Sequence, residues 1–112
     1  MEVETLRLKE MLDAGEVELV DTRESYEVEA GRIPRSRHVD LSDLTAAADS
    51  FERERPIVFY CRSGERSAMA ADAFKAGGFD AYNLAGGILA WHDAGLPLEP
   101  EGAKIVERQV HQ

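Results

Sequence analysis

The sequence predicts an α/β domain built on a mainly parallel sheet. Three observations carry this expectation. Short apolar strand patterns alternate with helical ones along the chain. One strand candidate, "PIVFY" at 56–60, is apolar almost throughout, as a strand covered on both faces has to be. Glycines and prolines separate the segments, and neither a repeat nor a low-complexity linker divides them; 112 residues fit one domain.

The elements run in this order. Residues 5–17, "TLRLKEMLDAGEV", set Leu8, Met11 and Leu12 at helical spacing, with Thr5 as N-cap and Gly15 as the stop. "EVELVD" (16–21) alternates with Val17 and Leu19 inward and reads as a strand. "RESYEVEAG" (23–31) is a short helix closed by Gly31, and "RIPRSRHVDL" (32–41), with Pro34, an irregular or extended connection. "SDLTAAADSF" (42–51) is a weak helix capped by Ser42, and the apolar strand 56–60 comes next. "SAMAADAFKAGGF" (67–79) turns Met69 or Ala70, Ala73 and Phe74 to one side and stops at Gly77-Gly78. "DAYNL" (80–84) is a further short strand. "AGGILAWHDAG" (85–95) enters through a glycine turn into a short amphipathic helix with Ile88, Leu89 and Trp91. The polar stretch 99–112 reads as a tail, its apolar residues being Ile105, Val106 and Val110.

Composition excludes several classes of function. A formal net charge of −9 argues against nucleic acid and against anionic membrane surfaces as partners. The N-terminus is charged from the start, and no apolar run reaches the ~20 residues of a spanning helix. One cysteine forms no internal disulfide and suits a reducing compartment, so the expectation is a cytoplasmic protein acting as a monomer or weak dimer. His38, His92 and His111 are scattered and, with one cysteine, lack metal-ligand spacing; neither metal nor cofactor is expected.

That cysteine, Cys61, opens the loop "CRSGER" between the apolar strand and the following helix. The loop thus falls at the carboxyl end of a strand, where open α/β sheets bind ligands. Backbone N–H groups from Arg62, Ser63, Gly64, Glu65, Arg66 and Ser67 can converge there on a small anion, and the next helix adds its N-terminal dipole. Gly64 frees the backbone for a positive φ. Arg62 and Arg66 bring two cations, and Cys61 is expected at an exposed bend beneath them. A field that binds an anion also stabilises a thiolate, the nucleophilic form of cysteine. Glu65 opposes that field unless its side chain points outward.

At these residues the chain resembles the single-domain rhodaneses of the rhodanese-like sulfurtransferase family. "LVDTRESYEVEAGRIPRSRHV" (19–39), "PIVFYCRSGERSAMAADAFKAGGF" (56–79) and "YNLAGGILAWHDAGLPL" (82–98) match the family's three motif stretches in order. Together they cover roughly residues 3–98, which sets a domain at 1–98 and the tail at 99–112. The resemblance implies a five-stranded parallel sheet flanked by helices on both faces. It also implies sulfur transfer from a small anionic donor such as thiosulfate to cyanide or a cellular thiol, through a persulfide on Cys61 and without a cofactor. Three positions depart from the pattern: Arg32 replaces His, Arg35 replaces Gly, and Val28 replaces an aromatic residue. Arg35 is expected to force a different bend after Pro34.

Two rival functions carry their own signatures. Cysteine phosphatases place five residues between Cys and Arg, whereas Cys61 and Arg66 enclose four. A non-catalytic binding module typically lacks the cysteine, which is present here. Outside the loop, Asp21 and Arg23 read as a charge pair tying down a strand end, and Arg32, Arg35 and Arg37 as a solvated basic face. His38 reads as a solvated or capping residue, and Trp91 as core.

Overall fold

A computed structural model describes residues 1–109; Val110, His111 and Gln112 lie outside the described residues. Among the described residues five strands form one sheet: β1 (Glu2–Val3), β2 (Glu18–Asp21), β3 (Arg37–His38), β4 (Ile57–Tyr60) and β5 (Ala81–Leu84). Their spatial order is β1-β5-β4-β2-β3, and every neighbouring pair is parallel. β4 is central, with β5 on one side and β2 on the other.

The helices are α1 (Thr5–Asp13), α2 (Ser25–Ala30), α3 (Leu44–Ala47), α4 (Glu65–Ala76) and α5 (Gly87–Asp93). Successive strand residues point to opposite faces, so the apolar strands feed two cores. Leu19, Val58, Tyr60 and Leu84 pack with Leu8, Met11 and Leu12 of α1 and with Ile88 and Trp91 of α5. On the other face Val20, Ile57, Phe59 and Ala81 meet Leu44, Phe51, Ala70, Ala71, Phe74 and Phe79. Phe74 stands 4.9 Å, centroid to centroid, from both Phe59 and Phe79, and 5.6 Å from Phe51.

Several sequence expectations are corrected in detail. β1 and β3 escaped the reading because two residues carry no periodicity; they are recognisable only by what they pair with. Thr5 is the first helical residue of α1, and Glu4 holds the cap position. The 42–51 segment is short 3-10 turns around α3, and its start is capped by Asp40, whose Oδ1 accepts from the Ser42 N–H at 3.0 Å and the Ser42 hydroxyl at 2.9 Å. α4 begins two residues early, at Glu65, and buries Ala70, Ala71 and Phe74, leaving Met69 and Ala73 exposed.

Residues 99–109 form no helix, but they lie against the domain. Glu99 makes an antiparallel bridge with Arg32, the Lys104 N–H donates to the Ala30 carbonyl at 2.8 Å, and Ile105 packs on the α1/α5 core. Gly31 lets this segment pass: a Cβ there would stand 2.6 Å from the Lys104 carbonyl oxygen. Among the described residues no helix is long and apolar enough to cross a membrane.

Candidate active site

Cys61 directly succeeds β4, at the carboxyl edge of the sheet. It is not at an exposed bend: only 1% of the residue is accessible. The loop curls over it because Gly64 takes φ 114° and α4 starts at the next residue. The curl brings the Gly64 N–H to 3.2 Å from Sγ, the Ser67 N–H to 3.5 Å and the Ser67 hydroxyl oxygen to 3.3 Å. Two amides meet the sulfur, rather than the whole run from Arg62 to Ser67. Both belong to the cap and first turn of α4, so the helix dipole acts in the same direction.

The two loop arginines differ in their surroundings. Arg66 lies against the buried Glu27 of α2 in a bidentate pair, with its terminal nitrogens 2.7 and 2.9 Å from the two carboxylate oxygens. Burial favours the neutral form of Glu27. The Arg66 fork and the Glu24 N–H outweigh it and hold the carboxyl below its usual range. The hydrogen bonds to Glu27 raise Arg66 above the ordinary guanidinium value. Arg62 is half-buried, and its Nε is enclosed without a hydrogen-bond partner among the described residues.

Glu65 is exposed, whereas the sulfur is buried; the Ser63 hydroxyl donates to Glu65 and, with the Glu65 backbone N–H, lowers its carboxyl from the usual value. The loop's negative charge is therefore held at the rim.

Three supporting residues were missed by the sequence reading. Glu27 had a local signal, an acid three residues after Glu24 at a helix start, but nothing in the sequence announces Arg66 as its partner 39 residues away. Gly87 was read only as part of a turn. Yet the Ile88 and Leu89 N–H groups donate to the Cys61 and Arg62 carbonyls at 2.9 and 3.2 Å, which seats the start of α5 directly on the loop. Asn83 on β5 gave no signal beyond being polar in an apolar strand; its side chain contacts Gly64 and Ser67.

Other singled-out residues lie outside the loop. Arg23 and Asp21 are both fully buried and form a two-pronged pair at 3.0 and 2.7 Å; Arg23 also donates to the Gly31 carbonyl at 2.7 Å. They tie down a strand end, as the sequence suggested. The basic cluster is dispersed: Arg32 pairs with Glu99, Arg35 with Asp13, and Arg37 with Glu18 while lying 4.4 Å from the Phe51 ring. His38 Nε2 lies 2.7 Å from the Arg23 carbonyl, His92 is exposed on α5, and Trp91 is core, its indole N–H donating to the Pro97 carbonyl at 2.8 Å.

A lone thiol enclosed by two amides and a hydroxyl, at the start of a helix, is equipped to act as a nucleophile and to hold a charged adduct. Comparison with known proteins points to one family. The model of the rhodanese-like domain matches residues 4–94. A Bacillus subtilis protein named putative sulfurtransferase YtwF is 35% identical over 97 residues, covering 86% of this chain and 94% of its own. Thiosulfate sulfurtransferase GlpE of Shewanella oneidensis is 33% identical over 89 residues, 79% of this chain and 88% of its own. The crystal structure of a rhodanese-related protein from Thermoplasma volcanium superposes with a TM-score of 0.81 at 26% identity, covering 88% of this chain and 96% of that one.

Proposed function

The chain belongs to the rhodanese-like domain family, and from that premise we propose that it is a sulfurtransferase that carries a sulfane sulfur on Cys61 between a small anionic donor and a thiophilic acceptor. The observation that carries the reading is the sulfur's setting: Sγ faces the Gly64 and Ser67 N–H groups and the Ser67 hydroxyl at the start of α4. The names of its sulfurtransferase relatives support transfer of sulfur in general, and GlpE supports thiosulfate as donor.

The reaction proceeds in two displacements. The Cys61 thiolate attacks the outer sulfur of thiosulfate; the Sγ–S bond forms, the S–S bond of the donor breaks, and sulfite leaves with the bonding pair. Cys61 then carries a persulfide with one negative charge. Cyanide attacks its terminal sulfur, thiocyanate departs, and the thiolate returns; a cellular thiolate takes the sulfur in the same way. Charge is conserved in each step, and neither needs a cofactor, because sulfur serves as both nucleophile and leaving group.

The loop's charge balance suits this chemistry. Arg66 is occupied by Glu27, which leaves Arg62 as the loop cation available to a dianionic donor. In this reading the loop residues Arg62, Ser63, Gly64, Glu65, Arg66 and Ser67 surround the bound sulfur, with the Gly64 and Ser67 N–H groups facing it and Glu65 at the rim.

Mass spectrometry after thiosulfate treatment tests it. A gain of one sulfur is expected, lost in Cys61→Ser. No gain from thiosulfate or from other sulfane donors would leave a non-catalytic binding module as the better account, and release of inorganic phosphate from an aryl phosphate would favour a phosphatase.

A further inference from the structure

Asn83 lies on β5, behind the Cys loop rather than within it, and is 3% exposed. Its backbone sits in register with Phe59 on one side and Glu2 on the other. Its amide nitrogen lies 3.1 Å from the Gly64 carbonyl, and its Oδ1 accepts from the Ser67 hydroxyl at 2.5 Å; the nitrogen also lies 3.4 Å from the Glu2 carboxylate. A carbonyl has no proton to give, so the donor end of the amide has to face Gly64, which leaves the acceptor end for Ser67.

Gly64 and Ser67 are also the two residues whose N–H groups meet Sγ. The Gly64 carbonyl accepts the Ala68 N–H at 3.1 Å, a first bond of α4. Holding that carbonyl fixes the start of the helix. The Ser67 hydroxyl has one proton, and three acceptors surround it: Oδ1 of Asn83 at 2.5 Å, Sγ at 3.3 Å and the Gly64 carbonyl at 3.4 Å.

We propose that Asn83 is a positioning residue for Cys61: one side chain grips the Gly64 carbonyl and takes the Ser67 hydroxyl proton from behind, and thereby sets the Gly64 and Ser67 N–H groups, the two donors that face the sulfur. Among the described residues its side chain makes no hydrogen bond to the sulfur, and it is closed off from solvent. Its effect therefore falls on the reactivity of Cys61 and not on donor binding. The turnover consequence rests on the sulfurtransferase reading; the effect on the thiol itself does not.

Asn83→Ala removes both hydrogen bonds and side-chain atoms, whereas Asn83→Leu removes the hydrogen bonds and keeps the site filled with the same number of heavy atoms. In a single round of sulfur uptake from thiosulfate, both variants are expected to lower the maximal rate about tenfold. The half-saturating thiosulfate concentration should stay within about twofold of wild type. Alkylation of Cys61 by iodoacetamide should slow by a similar factor, and Asn83→Ser, which retains one hydrogen-bonding group, should recover part of the loss. Wild-type rates in Asn83→Leu would overturn the proposal, since packing alone would then suffice. So would a change confined to the half-saturating concentration. If the Ala and Leu variants fail to fold, Asn83→Ser is judged by the same criteria against wild type. Should the wild-type protein take up no sulfur, the sulfurtransferase reading fails while the alkylation arm still decides the role of Asn83.

Discussion

Arg35 shows at single-residue scale how a departure from the family pattern is accommodated. The sequence led us to expect an altered bend after Pro34, because Arg stands where Gly is usual. In the structure Arg35 adopts φ 67°, a left-handed angle that costs a residue with a Cβ about 1–2 kcal/mol. The side chain returns part of that cost. Its guanidinium donates to the Leu12 carbonyl at 3.1 Å and reaches Asp13 at 3.3 Å, capping the end of α1. Two variants separate the contributions. Arg35→Ala loses the cap and keeps the strained angle, whereas Arg35→Gly loses the cap and relieves the angle. Urea unfolding should find the Gly variant more stable than the Ala variant by about 1 kcal/mol; equal stabilities would mean that the angle carries no strain.

At the scale of elements, the turn from β5 into α5 is a support for the Cys loop. Gly86 and Gly87 both have positive φ, at 74° and 62°. At Gly87 space is also closed: an added Cβ would collide with the Arg62 carbonyl and stand 2.6 Å from the Cys61 carbonyl oxygen. Backbone there cannot yield without dislodging the residue that bears the sulfur. Gly15 offers the contrast, since its φ is 69° and nothing stands within 4 Å of an added Cβ. Gly15→Ala should therefore cost only the backbone term, about 1 kcal/mol. Gly87→Ala should cost roughly 3 kcal/mol and also change the rate of Cys61 alkylation. Thermal melts and alkylation rates on the two variants make the comparison, and similar behaviour would remove Gly87 from the support of the loop.

Across the whole molecule, strand order explains why these supports converge. With β4 between β5 and β2, the Cys loop is flanked at the carboxyl edge by the segments that leave β2 and β5. Glu27 reaches it from one side, Asn83 and Gly87 from the other. The Glu27–Arg66 pair thus fastens α2 to the start of α4, and it imposes a pH dependence. Glu27 titrates below the ordinary carboxylate value of 4.5 in the folded chain. Its stabilisation is therefore fully present above that pH and is lost as pH falls through the lower folded value. Melting temperature should drop on acidification below about pH 4.5. Glu27→Gln should melt lower at neutral pH, because it leaves Arg66 without its ion pair, and should show a shallower acid decline. Parallel acid declines in both proteins would mean that other carboxylates govern the acid limb.

The sequence by itself determined the α/β class, the central apolar strand, the placement of the Cys loop between that strand and a helix, and the glycine at the loop's bend. These arise from periodicity and local backbone chemistry, which a linear string carries in full. It also carried the family resemblance, through motifs read within short windows. Only the tertiary structure decided the rest. Two-residue strands β1 and β3 exist through their partners alone. Cys61 is buried because the start of α4 folds over it, although its polar neighbours in sequence suggest exposure. Arg66 became half of an ion pair once Glu27 arrived from a distant helix, and Asn83 acquired a task when β5 docked beside β4. Each of those outcomes depends on a contact between residues far apart in the chain, and local pattern holds no record of which distant group a polar side chain will meet.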